Sequence, residues 1–434
     1  MPNATESRPI KMMTRERLFL LSLESAIFLE KYNGKFKLMG FSLKIKNLLL
    51  ISLIFLGIIG FKSQGKKPAF KTGADQHELY LPMIKGKTVG IVTNQTGLLS
   101  DKTHLVDFLV KNKVNIKTIF APEHGFRGDA DAGEHVKNGT DAKTGIPIVS
   151  LYGANKKPKP EQLKDIDVIL FDLQDVGVRF YTYISTLTYV MEAAAEQGIE
   201  VMVLDRPNPH DGYIDGPVLK PQFSSFVGLH PVPVIYGLTI GEYGKMVNGE
   251  KWLKKGMTAK YTLIPMVNYH KKKRYGMAER PSPNLPNEKS INLYPSLCFF
   301  EGTQVSVGRG TDLPFQIYGS PWMKDLPYQF TPKPNYGAKD PFLNGQTCYG
   351  ENLSDFPVEL RELSLTWLLN AYKNYQNPRQ NFFLKNGFFD KLAGTDVLRQ
   401  QIIAGKSEKE IKSSWKKDLE NFEKIRVKYI VYPD

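Results

Sequence analysis

The chain has 434 residues, 41% hydrophobic and 24% charged. That excludes a mostly disordered, collagen-like or coiled-coil protein, because enough apolar surface exists to offset the entropy of ordering, and the two cysteines, Cys298 and Cys348, exclude a disulfide scaffold or a multi-cysteine metal site. The net charge of +14 is uneven: residues 1–65 hold ten Lys/Arg against four Asp/Glu, leaving +8 for residues 66–434.

Lys44 and Lys46 precede an apolar run, Leu48 to Ile59, which is followed by Gly60, Ser63 and Gly65. This is the order of a secretory signal, and the run is shorter than the roughly 20 residues that span a bilayer as a helix. The expectation is a secreted or periplasmic protein with no stable membrane anchor after cleavage. Residues 1–38 stand before a natural start at Met39 and read as an over-extended leader. The expected organisation is leader and signal over 1–65, a Rossmann-like α/β domain over 66–270 and a smaller C-terminal α/β domain over 271–434.

From Lys87 onward, short β-branched runs alternate with helical patterns, as in parallel βαβ units. The runs are Thr88–Thr93, Ile116–Ala121, Ile146–Leu151, Val168–Leu173 and Glu200–Leu204. Lys102–Asn112 and Ile184–Gln197 carry apolar residues at helical spacing, the latter closed by Gly198. The pattern predicts an open, doubly wound, mostly parallel sheet to about residue 235, with ligands outside the carboxyl ends of its strands. Polar groups crowd those ends: Asn94, then Glu123, His124 and Arg127, then Asp175 and Arg179, then Arg206 and Asn208. Further on, Thr239–Gly249 reads as a helix, Pro281–Pro286 as a Pro/Asn-rich loop and Gly308–Asp312 as a glycine turn aiming Arg309 and Asp312 into a cleft. Trp415, Leu419, Phe422 and Ile425 lie at helical spacing before a strand-like Val427–Tyr432. The densest basic run, His270-Lys271-Lys272-Lys273-Arg274, lacks interleaved aromatic platforms and reads as a solvated loop, so no nucleic-acid partner is expected.

Several chemistries fail on spacing. Thr93–Gly97 has a single glycine, so no dinucleotide cofactor is expected, and no G-x-S-x-G elbow occurs. Asp129, Asp131, Glu134 and His135 resemble a metal loop but complete neither a calcium nor a zinc pattern; a metal-dependent amidohydrolase remains a rival reading. Glycoside hydrolysis needs a carboxyl group held protonated beside the leaving oxygen. Glu123 suits that role: it follows an apolar strand and Pro122, where burial would favour its neutral form, with His124 and Arg127 in reach to tune it.

Six segments together resemble the NamZ-type exo-β-N-acetylmuramidases, formerly a domain of unknown function. They are Gly90–Gly97, Ala121–Gly128 with Asp131–Glu134, Phe171–Thr188, Asp205–Pro209, Pro281–Pro286 and Leu293–Asp312. The resemblance implies a Rossmann-like domain, a smaller C-terminal α/β domain and an active-site cleft between them. It further implies release of terminal β-1,4-linked N-acetylmuramic acid from non-reducing ends of peptidoglycan fragments without a nucleotide cofactor, and the incomplete ligand spacing leaves no metal expected. Glu123 inherits the role of catalytic acid, with His124, Asp175 and Glu301 as further catalytic candidates; Glu134 and Asp312 also stand in matching segments. Candidate substrate-binding residues are Asn94, Arg127, Glu134, Arg179, Arg206, Asn208, Asn284, Arg309 and Asp312. Muramic acid carries a lactyl carboxylate, so at least one of Arg127, Arg179, Arg206 and Arg309 should face it. Rival readings are a hexosaminidase for another aminosugar and a non-catalytic glycan-binding protein. A homodimer is compatible with this reading.

Overall fold

The computed structural model describes residues 69–434 except 124, 127–137 and 358–359, together with residues 37–38 and 41–42. The chain divides into two compact units, 1–67 and 68–434. In the first, Lys37–Leu38 pairs antiparallel with Phe41–Ser42; the signal-like segment lies outside the described residues. No helix among the described residues is long and apolar enough to cross a membrane.

The second unit is organised by seven strands: β1 (Thr88–Thr93), β2 (Asn115–Ala121), β3 (Gly139–Thr140), β4 (Pro147–Ser150), β5 (Val168–Asp172), β6 (Glu200–Leu204) and β7 (Lys260–Ile264). Their order is β3-β4-β2-β1-β5-β6-β7, parallel throughout except for the edge strand β3. The chain therefore moves outward through β2 and β4, returns to the other side of β1, and continues through β5, β6 and β7. That reversal beside β1 is the switch point at which doubly wound sheets bind ligands. Apolar side chains on both faces of these strands are covered, as parallel sheets require. Val89, Ile91 and Ile119 pack on one side with helices α1 (His77–Ile84) and α2 (Leu105–Lys111). Val92, Phe120 and Phe171 pack on the other, where α3 (Pro160–Leu163), α4 (Tyr183–Gln197) and α5 (Ile240–Gly249) follow in the chain and Leu163, Ile184, Leu187 and Tyr243 join the same core.

The five predicted strands and the helices after them are present, but the sheet does not stop near residue 235. Lys260–Ile264 adds β7 alongside β6; its pattern is only partly buried, so it gave a weak apolar signal. The predicted solvated loop is corrected at Lys271, which has no exposed side-chain surface and is ion-paired with Asp211 and Glu242. The expected strand Val427–Tyr432 is corrected too: the backbone N–H groups of Val431 and Tyr432 donate to Glu242 instead of a sheet partner.

The smaller C-terminal part begins with α6 (Glu288–Leu297), capped by Asn287, and carries an antiparallel sheet that the apolar pattern did not reveal. Its strands are β8 (Ile317–Ser320), β9 (Tyr328–Phe330) and β10 (Cys348–Asn352), with β10 in the centre. Helices α7 (Thr366–Asn374), α8 (Phe388–Ala393), α9 (Val397–Ile403) and α10 (Glu408–Arg426) complete it. The last starts in a Ser407/Glu410 capping box; of its expected apolar stripe Trp415 and Phe422 are buried and Leu419 and Ile425 partly so, and Ile411 extends it. Cys298 and Cys348 are both buried free thiols.

Candidate active site

The site grows from the carboxyl ends of the central strands. Strand β2 runs buried through Ile119, Phe120 and Ala121 and ends at Pro122, whose carbonyl accepts the N–H of Gly125 at 3.1 Å. This turn carries Glu123, which is half-buried, not enclosed as its apolar approach suggested. The Thr182 hydroxyl donates to Glu123 Oε2 at 3.1 Å and the Tyr183 hydroxyl to the Glu123 carbonyl at 3.5 Å. Thr182 is the N-cap residue of α4, so the helix start that follows β5 orients the carboxyl group that follows β2. Tyr183 is held in turn by Asn94 Nδ2 at 2.6 Å.

Glu123 and Thr182 open onto a cavity of about 680 Å³ whose walls come from both halves of the unit. The first half also contributes Tyr152, Tyr181 and Phe226. The Tyr181 hydroxyl donates to the carbonyl of Pro281 at 2.7 Å, drawing the Pro/Asn-rich loop against the sheet edge. From the second half come Tyr294, Glu301, Arg309 and Phe315. Arg309 stands between two glycines with φ of 79° each. A side chain at Gly308 would strike Ile317, and one at Gly310 would strike the Lys333 carbonyl and Pro341, so this turn tolerates only glycine on either side. Arg309 Nε donates to Glu301 Oε1 at 2.7 Å, and the guanidinium lies over the Phe315 ring, 5.0 Å from its centroid. Burial disfavours the charged guanidinium, but the Glu301 carboxylate outweighs it and holds Arg309 above the ordinary arginine range.

The structure thus brings Glu123, Glu301 and Arg309 to one cavity. It places other candidates elsewhere. Arg179 is fully buried, with Nη1 donating to the carbonyls of Pro217 and Val232 and Nη2 to that of Leu392 in α8, so it fastens the C-terminal part to the sheet domain. Arg206 grips Asp172 through two hydrogen bonds, both side chains almost wholly buried. Asp175 is enclosed away from the cavity lining, receiving the Tyr236 hydroxyl and the Gly177 N–H; burial pushes its carboxyl up to about 6, against the pull of the Tyr236 bond. Asn208 spends its amide on the Leu238 carbonyl and the His210 N–H. Asn284 donates to the carbonyl of Gly337, a lining residue, and so braces the wall from behind. Asn94 acts likewise through Tyr183, and Asp312 is exposed and off the cavity. His124, Arg127 and Glu134, with Asp129, Asp131 and His135, lie outside the described residues. Thr182, Phe226 and Phe315 were not singled out by sequence; Thr182 lies within the Phe171–Thr188 segment, and nothing local marked the other two.

A carboxyl group fixed at the switch point of a doubly wound sheet, facing a sugar-sized, largely aromatic and aliphatic cavity, has the character of a glycoside hydrolase. Family models described as "Exo-beta-N-acetylmuramidase NamZ", N-terminal and C-terminal, match residues 89–289 and 292–432. The peptidoglycan beta-N-acetylmuramidase NamZ of Bacillus subtilis (strain 168) is 40% identical over 388 residues, covering 85% of this chain and 92% of its own. Crystal structures of two DUF1343 family proteins from Bacteroides fragilis NCTC 9343 superpose with TM-scores of 0.78 and 0.71. They are 44% and 30% identical, cover 85% and 84% of this chain, and are themselves covered completely. The chain belongs to the NamZ exo-β-N-acetylmuramidase family.

Proposed function

We propose that this glycoside hydrolase releases terminal β-1,4-linked N-acetylmuramic acid from the non-reducing ends of peptidoglycan fragments, with Glu123 as the general acid. The observation that carries the assignment of Glu123 is its setting: a half-buried carboxyl on the cavity wall, oriented by Thr182 and backed by Tyr183 and Asn94. A carboxyl so oriented can deliver its proton to the glycosidic oxygen as its bond to the anomeric carbon breaks, so that the remaining glycan leaves as the alcohol and water supplies the hydroxyl on the anomeric carbon of the released sugar. The basic, apolar and small-residue order of Lys44 to Gly65 supports export to the compartment where the glycan lies.

The test is release of para-nitrophenol from the β-N-acetylmuramide and, in parallel, from the matching β-N-acetylglucosaminide. Turnover of the muramide by wild type, lost in Glu123→Gln, is the expected result. No turnover of either glycoside by folded wild type would overturn the enzymatic reading.

A further inference from the structure

The reaction needs Glu123 but leaves the Glu301–Arg309 pair on the same cavity wall without a role. The pair is organised as a receptor. Arg309 Nε is committed to Glu301 Oε1, and Glu301 Oε2 receives the Cys298 thiol at 3.5 Å, so both carboxylate oxygens are occupied. The guanidinium lies over the ring of Phe315, and the tight glycine positions on either side fix the backbone from which Arg309 projects. What remains is its outer end: among the described residues Nη1 is buried without a hydrogen-bond partner, and Nη2 donates to none. A buried N–H left unpaired costs about 1–3 kcal/mol, more when charged, and Nη2, which is unpartnered and not enclosed, can give a carboxylate a charge-assisted hydrogen bond. The lining near the pair is apolar, with Phe300, Val305, Val307 and Leu384, where such a bond is least screened.

We propose that Arg309 binds the lactyl carboxylate of the terminal muramic acid through its open Nη2 group, and that Glu301 is a positioning residue for Arg309, with no part in bond cleavage. This rests on the muramidase reading above. It converts the preference for muramic acid into a physical cause: a sugar lacking the lactyl acid leaves the outer end of Arg309 unpaired in an apolar wall. Sites built to hydrogen-bond a substrate group reject analogues lacking it far more strongly than apolar pockets reject a size difference.

The experiment measures binding separately from turnover. Calorimetric titration of N-acetylmuramic acid and of its lactyl methyl ester into wild type should show the acid preferred by about 10²-fold, the scale of a truncated buried charge pair. Arg309→Met, its folding checked by thermal melting, should bind acid and ester alike to within about threefold. Arg309→Lys, which keeps a point charge but loses the planar fork, should retain only part of the preference and serves if the Met variant does not fold. A preference undiminished in a folded Arg309 variant, or lost instead on replacing the exposed lining residue Lys339 by Met, would overturn the proposal, as would equal binding of acid and ester by wild type. Glu301→Gln should raise KM for the muramide with kcat within about tenfold of wild type; a fall in kcat of about 10³-fold, the range of a lost general acid or base, would overturn the positioning role. Failure of the catalytic reading has a different signature: acid-selective binding with no turnover.

Discussion

Two ion-paired clusters in this molecule use the same residue types to opposite ends. At the cavity, Arg309 makes one hydrogen bond to Glu301 and leaves both Nη groups uncommitted among the described residues. Under the C-terminus, Lys271 Nζ reaches both oxygens of Asp211 and one of Glu242, and neither it nor its partners expose any side-chain surface. There the remaining acceptors are also filled: Tyr269 donates to Asp211, while the backbone of Val431 and Tyr432 donates to Glu242. Next to it, Asp205 collects the hydroxyls of Thr239 and Tyr432 and the N–H of Gly241. A saturated cluster holds chain segments together; an unsaturated one beside a cavity can hold a ligand. Exposure separates them in the same sense: Arg309 and Glu301 keep 23% and 24% of their side-chain surface exposed while the Lys271 cluster has none, so the cluster with unspent donors is also the one a ligand can reach.

The contrast predicts that substitutions at the cavity change turnover while those under the C-terminus change stability. The largest effect should come from Glu123→Gln, a fall in kcat of about 10²–10⁴-fold for loss of the general acid, with the melting temperature nearly unchanged; comparable losses in both would dissolve the contrast. Lys271→Met should destabilise by about 3–5 kcal/mol in urea titration, because it leaves carboxylates buried without their cation. Turnover per folded molecule should stay at the wild-type level.

A pH series sharpens the same point. Burial pushes Asp205 up to about 6 and Asp211 up to about 7, Lys271 opposing the second shift and Glu242 adding to both. A carboxyl whose folded pKa lies above its unfolded value binds its proton more tightly when folded. Its contribution to stability is therefore complete below about pH 4 and is lost as pH rises through 6 to 7. Asp211→Asn is neutral throughout, so the melting-temperature advantage of wild type over this variant should shrink between pH 5 and pH 8. An advantage that grows across that interval would show that ionised Asp211 stabilises the cluster. The smallest effect is expected for Tyr432→Phe, about 1–3 kcal/mol, because its hydroxyl donates to Asp205 and accepts the Met266 N–H, read by urea titration with unchanged kcat.

Much of the first half was legible because its signals are local. Val168–Asp172 is a continuous apolar run ending in a polar residue, Thr239 and Glu242 spell a capping box, and Gly198 ends α4. Such patterns depend on neighbours within a few residues, which is why the strands, helices and polar strand ends could be placed. The C-terminal sheet escaped because Ile317–Ser320, Tyr328–Phe330 and Cys348–Asn352 are short and include glycine and polar residues; their partners, not their composition, make them strands.

Of the four arginines that the sequence treated as equivalents, contacts between distant segments separated the three that lie among the described residues. Arg179 meets the carbonyl of Leu392, 213 residues away; Arg206 meets Asp172, 34 residues away; Arg309 faces the cavity. The same holds for Lys271, which looked like one cation of a solvated run until Asp211 and Glu242 were brought to it from 60 and 29 residues away. By itself the sequence determined the class of sheet and the family, and it singled out Glu123, which the structure sets on the cavity wall, as the candidate acid. The tertiary structure alone decided which charges are neutralised inside the framework and which remain available to a ligand, because pairing is settled by hydrogen-bond saturation among groups that only folding makes neighbours.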